Sequence, residues 1–196
     1  LTFGFLSLAA AAFFVLRQRD YKRLLAYSSI AHAGYMMMAT AIFIHPNAPA
    51  SNSPIAAVLV YLLFYAIMNF GAFAVTAMVA WHSGSEKIEA FVGLGRRAPW
   101  LAVPMLFCLV SLVGLPPFAG FIGKLWILLA LGEHGGWLCW GLLIVAVFNT
   151  LVSLFFYFRI VKAMFMTDDG ATAFSPPISG VALVNACGIA LVLLGV

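Results

Sequence analysis

The chain has 196 residues, of which 65% are hydrophobic and 8% charged, with a formal net charge of +4 and a mean hydropathy of +1.10. Soluble domains carry roughly 25% charged residues, so a water-soluble fold is excluded. The apolar residues fall in blocks of about twenty or more, enough to cross a hydrocarbon core of about 30 Å as helix; the expected class is an all-α, polytopic transmembrane bundle.

Six spans are predicted. The first, Leu1 to Leu16, opens in an apolar run with no basic n-region, and reads as a cut transmembrane helix rather than a signal peptide, so the sequence is expected to be a fragment. The second, Leu24 to Ile44, carries His32 nine residues beyond Arg23 and on one face with Ser28 and Ser29. An imidazole at that depth suits proton relay, because it titrates near physiological pH; a hydrogen-bonded packing histidine is the other reading. The third span, Ile55 to Trp81, follows the turn-rich connection His45 to Pro54. It holds Asn69, and its Tyr61 and Tyr65, spaced i, i+4, are expected as an aromatic packing stripe in preference to a proton path.

The fourth span runs from Ala98 to Leu131, which as one straight helix would measure about 50 Å and overshoot the core. The sequence GLPPFAGFIG, Gly114 to Gly123, supplies a break. Pro116 and Pro117 remove backbone donors and disfavour helix at Leu115, while Gly114 and Gly120 permit unwinding or close packing. A discontinuous helix is expected, with a simple proline kink as the alternative. Irregular backbone at membrane depth is tolerated only when buried in protein or lining a water-filled cavity.

Lys124 follows the break at once and precedes Glu133 by nine residues, about 13 Å of helix, which puts it near mid-membrane. A charge there costs several kcal/mol unless solvated or paired, so it is a functional candidate by default. Desolvation disfavours its charged form, so such a lysine can load and release a proton, and a neighbouring charge can drive the change. Snorkelling is the bland alternative, weakened by the depth.

The connection Gly132 to Gly136 holds Glu133 and His134, read as solvated or as marking an exit. The fifth span, Trp137 to Phe158 with an extension to Met166, contributes Asn149, Thr150 and Ser153. Like Ser111, these suit interhelical hydrogen bonding or a water wire. The sixth, Ile178 to Val196, follows Thr167 to Pro177.

Counting sides alternately places Arg17, Arg19, Lys22, Arg23, Lys87, Arg96, Arg97, Arg159 and Lys162 on one face and no Lys or Arg on the other. By the positive-inside rule the basic face is cytoplasmic, so the positive balance reports orientation and not nucleic-acid binding. Cys108, Cys139 and Cys187 stand singly in apolar segments and read as small hydrophobes, with neither a disulfide frame nor a metal site expected. No phosphate loop, haem pair, iron–sulfur spacing or nucleophile triad is present, and no bond chemistry is expected in this chain.

Tyr21 to Tyr35, YKRLLAYSSIAHAGY, together with Gly93 to Lys124, GLGRRAPWLAVPMLFCLVSLVGLPPFAGFIGK, resembles the antiporter-like membrane subunits of respiratory complex I, most of all the subunit N branch. Tyr61 to Val75, YLLFYAIMNFGAFAV, and Phe148 to Met164, FNTLVSLFFYFRIVKAM, extend the likeness. The resemblance implies a fourteen-helix fold with inverted repeats, of which this single transmembrane domain would be helices nine to fourteen. It maps the family's lysine on the broken helix to Lys124 and its histidine to His32. Related subunits carry a His and a Lys where this chain has Tyr65 and Asn69, which favours subunit N.

The function so implied is a proton-translocating, non-catalytic membrane subunit of NADH:quinone oxidoreductase, coupling quinone reduction elsewhere to pumping through Lys124 and His32. Ser28, Asn69 and Glu133 would be further relay or exit groups. The chain itself would hold no cofactor; NADH, FMN, iron–sulfur clusters and quinone are expected in partner subunits. The expected partners are other membrane subunits of complex I in a hetero-oligomer, and the lipid bilayer. The expected location is a bacterial inner membrane, with the mitochondrial inner membrane as alternative. A subunit of a multisubunit cation/proton antiporter or membrane-bound hydrogenase, and a spacer that moves no protons, are the competing readings.

Overall fold

The computed structural model describes residues 18, 20–43, 53–167 and 176–196. The expected first span, Arg17, Arg19 and most of the two turn-rich connections lie outside the described residues. Among the described residues, seven α-helices and a short 3-10 turn follow in order: α1 (Tyr21–Phe43), α2 (Ser53–Ser83), the 3-10 turn Ile88–Phe91, α3 (Leu94–Arg97), α4 (Pro99–Val113), α5 (Ala119–His134), α6 (Gly136–Met166) and α7 (Ile178–Leu193).

Two stretches, Ile55–Ser83 and Cys139–Met166, are long and apolar enough to cross a membrane by length and composition alone. The 34-residue segment is not one helix. α4 and α5 have 15 and 16 residues, about 22 and 24 Å each, so neither reaches across the core by itself.

Boundaries depart from expectation where local chemistry extends a helix. α1 starts at Tyr21, not Leu24, with Leu24 N–H on the Asp20 carbonyl and Arg23 Nε 3.5 Å from the Asp20 carboxylate. α2 starts at Ser53 and takes Pro54 into its first turn, where the missing donor costs nothing. α5 continues to His134, so Glu133 stands in its last turn rather than in a connection. α7 stops at Leu193 instead of Val196. The stretch between α2 and α4 is anchored by Phe91 and Leu94, both fully buried.

α2 is the central helix, packing on α1, α4, α5 and α7. Ile144, Phe148, Leu151, Phe155 and Phe158 form an exposed apolar stripe on α6, as an apolar solvent allows. The basic connections meet at one end: Lys22 Nζ contacts the Glu86 carboxylate at 2.8 Å, the backbones of Asp20 and Lys87 form an isolated antiparallel β-bridge, and Gly93 N–H reaches the Ala163 carbonyl.

Candidate functional site

The helix break builds the site. α4 ends at Gly114, whose φ of +86° is left-handed and suits a residue without Cβ. After the exposed Leu115, Pro116 and Pro117, α5 begins beside the end of α4. Gly120 N–H donates to Ser111 Oγ at 3.0 Å, and a Cβ on Gly120 would run into the Ser111 carbonyl oxygen. The two half-helices thus overlap in mid-bundle. The last carbonyls of α4 lack helical partners there and form the negative end of its dipole.

Lys124 fills that end. Its Nζ donates to the carbonyls of Leu112 at 2.9 Å and Val113 at 2.7 Å, and the side chain is 5% exposed. The same Nζ lies 5.2 Å from the centroid of the Tyr35 ring, within the reach of a cation–π contact. Among the described residues no carboxylate pairs with it. The charged amine is therefore held by carbonyl dipoles and one aromatic face, a weaker setting than an ion pair and one that leaves proton release open.

His32 is 2% exposed, and its Nδ1 lies 2.5 Å from Tyr61 Oη. Its ring is 4.9 Å from that of Tyr65, 5.9 Å from Tyr61 and 6.4 Å from Tyr35, centroid to centroid. Tyr35 joins the two candidate groups and ties them to α6. Its hydroxyl donates to the Ala146 carbonyl at 2.6 Å and lies 3.0 Å from Thr150 Oγ1, and Asn149 Nδ2 donates to it at 3.4 Å.

The structure thus gathers Lys124, His32, Tyr35, Tyr61 and Tyr65, with Asn149 and Thr150 behind them. The other candidates lie apart from Lys124. Ser28 is bonded to Tyr157, with the two hydroxyls 2.5 Å apart. Asn69 donates to Tyr65 Oη, one turn earlier in the same helix. Glu133 is exposed and lines a cavity of about 330 Å³ with Ala56, Ala57, Trp126, Leu129 and Ala130, at the opposite end from the basic connections.

The sequence reading missed Tyr35 and treated Tyr61 as packing. A signal was present: burying a phenol in lipid costs free energy unless its hydroxyl finds a partner, so tyrosines deep in apolar spans predict hydrogen bonds. Tyr157→Phe illustrates the cost outside the site. It strips Ser28 of its hydroxyl partner and is expected to lower stability by about 1 to 3 kcal/mol, read as a lower denaturation midpoint in detergent.

Comparison with known proteins supplies the wider frame. Residues 1–153 match the family model described as NADH:quinone oxidoreductase/Mrp antiporter, TM. NADH-quinone oxidoreductase subunit N 2 of Sorangium cellulosum is 45% identical over 186 residues, 92% of this chain and 35% of the relative. The chain therefore spans about a third of the length of such relatives. Among solved structures, a chain of respiratory complex I from Thermus thermophilus is 35% identical with a TM-score of 0.81, covering 98% of this chain and 42% of that one. A chain of the archaeal membrane-bound sulfane sulfur reductase is 26% identical with a TM-score of 0.83, covering 98% and 37%.

Proposed function

Since the chain belongs to the NADH:quinone oxidoreductase/Mrp antiporter family of transmembrane proteins, we propose that it is part of a proton-translocating membrane subunit of an NADH:quinone oxidoreductase. Membership makes it an integral inner-membrane protein. The observation that carries the functional reading is Lys124, a buried amine at the junction of two half-helices, held by two carbonyls and without a described carboxylate partner.

Its chemistry follows from that setting. Protonated Lys124 is stabilised by the negative end of α4 and the face of Tyr35. A cation brought near would repel that proton, and removing it would let the amine reload, since Coulomb energies at low dielectric reach several kcal/mol. His32, on the neighbouring helix, is the second group that can carry a proton. Glu133, at the far end of the same helix, offers an acceptor toward the non-basic face. Apart from these proton transfers, no covalent bond is made or broken by this chain in such a cycle. NADH, FMN, iron–sulfur clusters and quinone belong to partner subunits in this reading, and the chain works within a hetero-oligomer of membrane subunits.

The test is Lys124→Ala in the assembled complex, reconstituted in vesicles with proton uptake measured against NADH oxidation. The expected result is loss of the pumping that passes through this chain while oxidation and assembly persist. Full pumping would sink the proposal, and would favour a spacer. A second reading, a subunit of a related respiratory or cation/proton antiporter complex, draws on the fold shared with the archaeal reductase. Subunits that copurify with the chain decide between the two.

A further inference from the structure

Tyr61 is the one described side chain that both bonds His32 and packs against the residue next to Lys124. Its hydroxyl lies 2.5 Å from His32 Nδ1. Its ring lies across Gly123, where an added Cβ would come within 2.7 Å of Tyr61 Cδ2. Only a glycine lets the phenol approach α5 so closely, directly beside Lys124. The residue is fully buried, and the rings of Tyr35, at 6.4 Å, and His32, at 5.9 Å, close in around it.

A phenol wedged there for packing alone would be served as well by phenylalanine, which avoids the cost of burying a hydroxyl. A phenol that bonds an imidazole can instead accept one proton while giving up another. We propose that Tyr61 is a relay residue through which His32 and Lys124 exchange a proton, an inference that rests on the proton-translocating reading above. In the step, the Nδ1–H bond of a doubly protonated His32 breaks as a new O–H bond forms at Tyr61 Oη. The original Tyr61 O–H bond breaks in concert, and that proton goes to the neutral Nζ of Lys124, over a bridging water where the gap requires one. His32 ends neutral, Lys124 ends charged, Tyr61 is regenerated, and no electron changes hands. Concerted transfer spares the phenol from becoming a buried phenolate.

The neighbours favour this route. Tyr35 Oη is occupied on α6 by Ala146 and Thr150, so its hydroxyl is committed to positioning the ring under Lys124. Tyr65 Oη accepts from Asn69 and its ring stacks near His32. Of the three phenols, Tyr61 is the one whose hydroxyl bonds the imidazole itself.

The experiment uses the full chain in its assembled complex, in vesicles, with proton uptake counted per NADH oxidised for Tyr61→Phe, Lys124→Ala and Tyr21→Phe. Tyr21 is equally buried, but its hydroxyl faces the Met105 sulfur at 3.9 Å and it stands at the start of α1, eleven residues before His32. The expected result is that Tyr61→Phe falls to the level of Lys124→Ala while Tyr21→Phe pumps like the unsubstituted protein. Unimpaired pumping by Tyr61→Phe alongside a dead Lys124→Ala overturns the relay and leaves the proton-translocating reading standing; unimpaired pumping by Lys124→Ala overturns both. Should Tyr61→Phe fail to assemble, difluorotyrosine at position 61 decides. It keeps the hydroxyl and the packing but is a stronger acid, so a relay shifts the pH profile of pumping, and an unmoved profile rejects it.

Discussion

Lys124→Arg is expected to assemble, keep the complex oxidising NADH, and stop pumping as completely as Lys124→Ala. Arginine preserves the cation, can still donate to the Leu112 and Val113 carbonyls and can still lie over Tyr35. It fails at one thing only, giving up its proton. A guanidinium holds its proton far above neutral pH and in proteins is effectively never deprotonated. The substitution therefore separates a static helix cap from a titrating site. If Lys124 merely caps the end of α4, arginine is the best available replacement and pumping survives. If the amine must cycle, arginine is among the worst. Proton uptake by reconstituted vesicles, normalised to NADH oxidation, is the measurement, with assembled complex quantified in parallel.

Gly120→Ala is expected to be the most disruptive single methyl in the described chain. The added carbon would overlap the Ser111 carbonyl oxygen and come within 2.7 Å of its carbon and 2.9 Å of Met68 sulfur. Backbone cannot swing aside as a flexible side chain does. Relief requires separating the ends of α4 and α5, which also breaks the Gly120 N–H to Ser111 Oγ bond. Overpacking together with that loss predicts destabilisation of about 3 kcal/mol or more. Gly141→Ala is the matched control: it also lies within a helix, but nothing stands within 4 Å of the new methyl, so it should be neutral or stabilise by about 0.5 to 1 kcal/mol. Midpoints of thermal inactivation of the purified complex report both.

The two tests address different layers of one device. Gly120 keeps the half-helices overlapped; Lys124 uses the carbonyls that the overlap exposes. Failure of Gly120→Ala by misassembly and failure of Lys124→Arg by silent transport would together show that the break exists to house a titrating amine. A break that served only to bend the span would tolerate arginine.

Much of this protein was legible before any coordinates. Block lengths and near-absent charge established a transmembrane helical bundle, because partition into lipid depends on composition summed over about twenty residues. The cations, Lys124 excepted, predict an orientation by the positive-inside rule. The excess length from Ala98 to Leu131, with tandem prolines and glycines, called for a break between Gly114 and Gly123, and placed Lys124 just past it near mid-depth.

The partners belong to the tertiary structure. Lys124 meets carbonyls eleven and twelve residues earlier, His32 meets a phenol 29 residues on, and Tyr35 is clamped by Ala146 across 111 residues. No local spacing encodes these meetings. In water an amphipathic stripe would mark which face of each helix turns inward. In lipid the outer face is as apolar as the core, so the stripe is absent and the rotation of each helix is decided by packing. That is why the sequence singled out Lys124 and His32 but took Tyr61 for packing. Depth is a property of composition along the chain, whereas company at that depth is settled only when α1, α2, α5 and α6 close around one another.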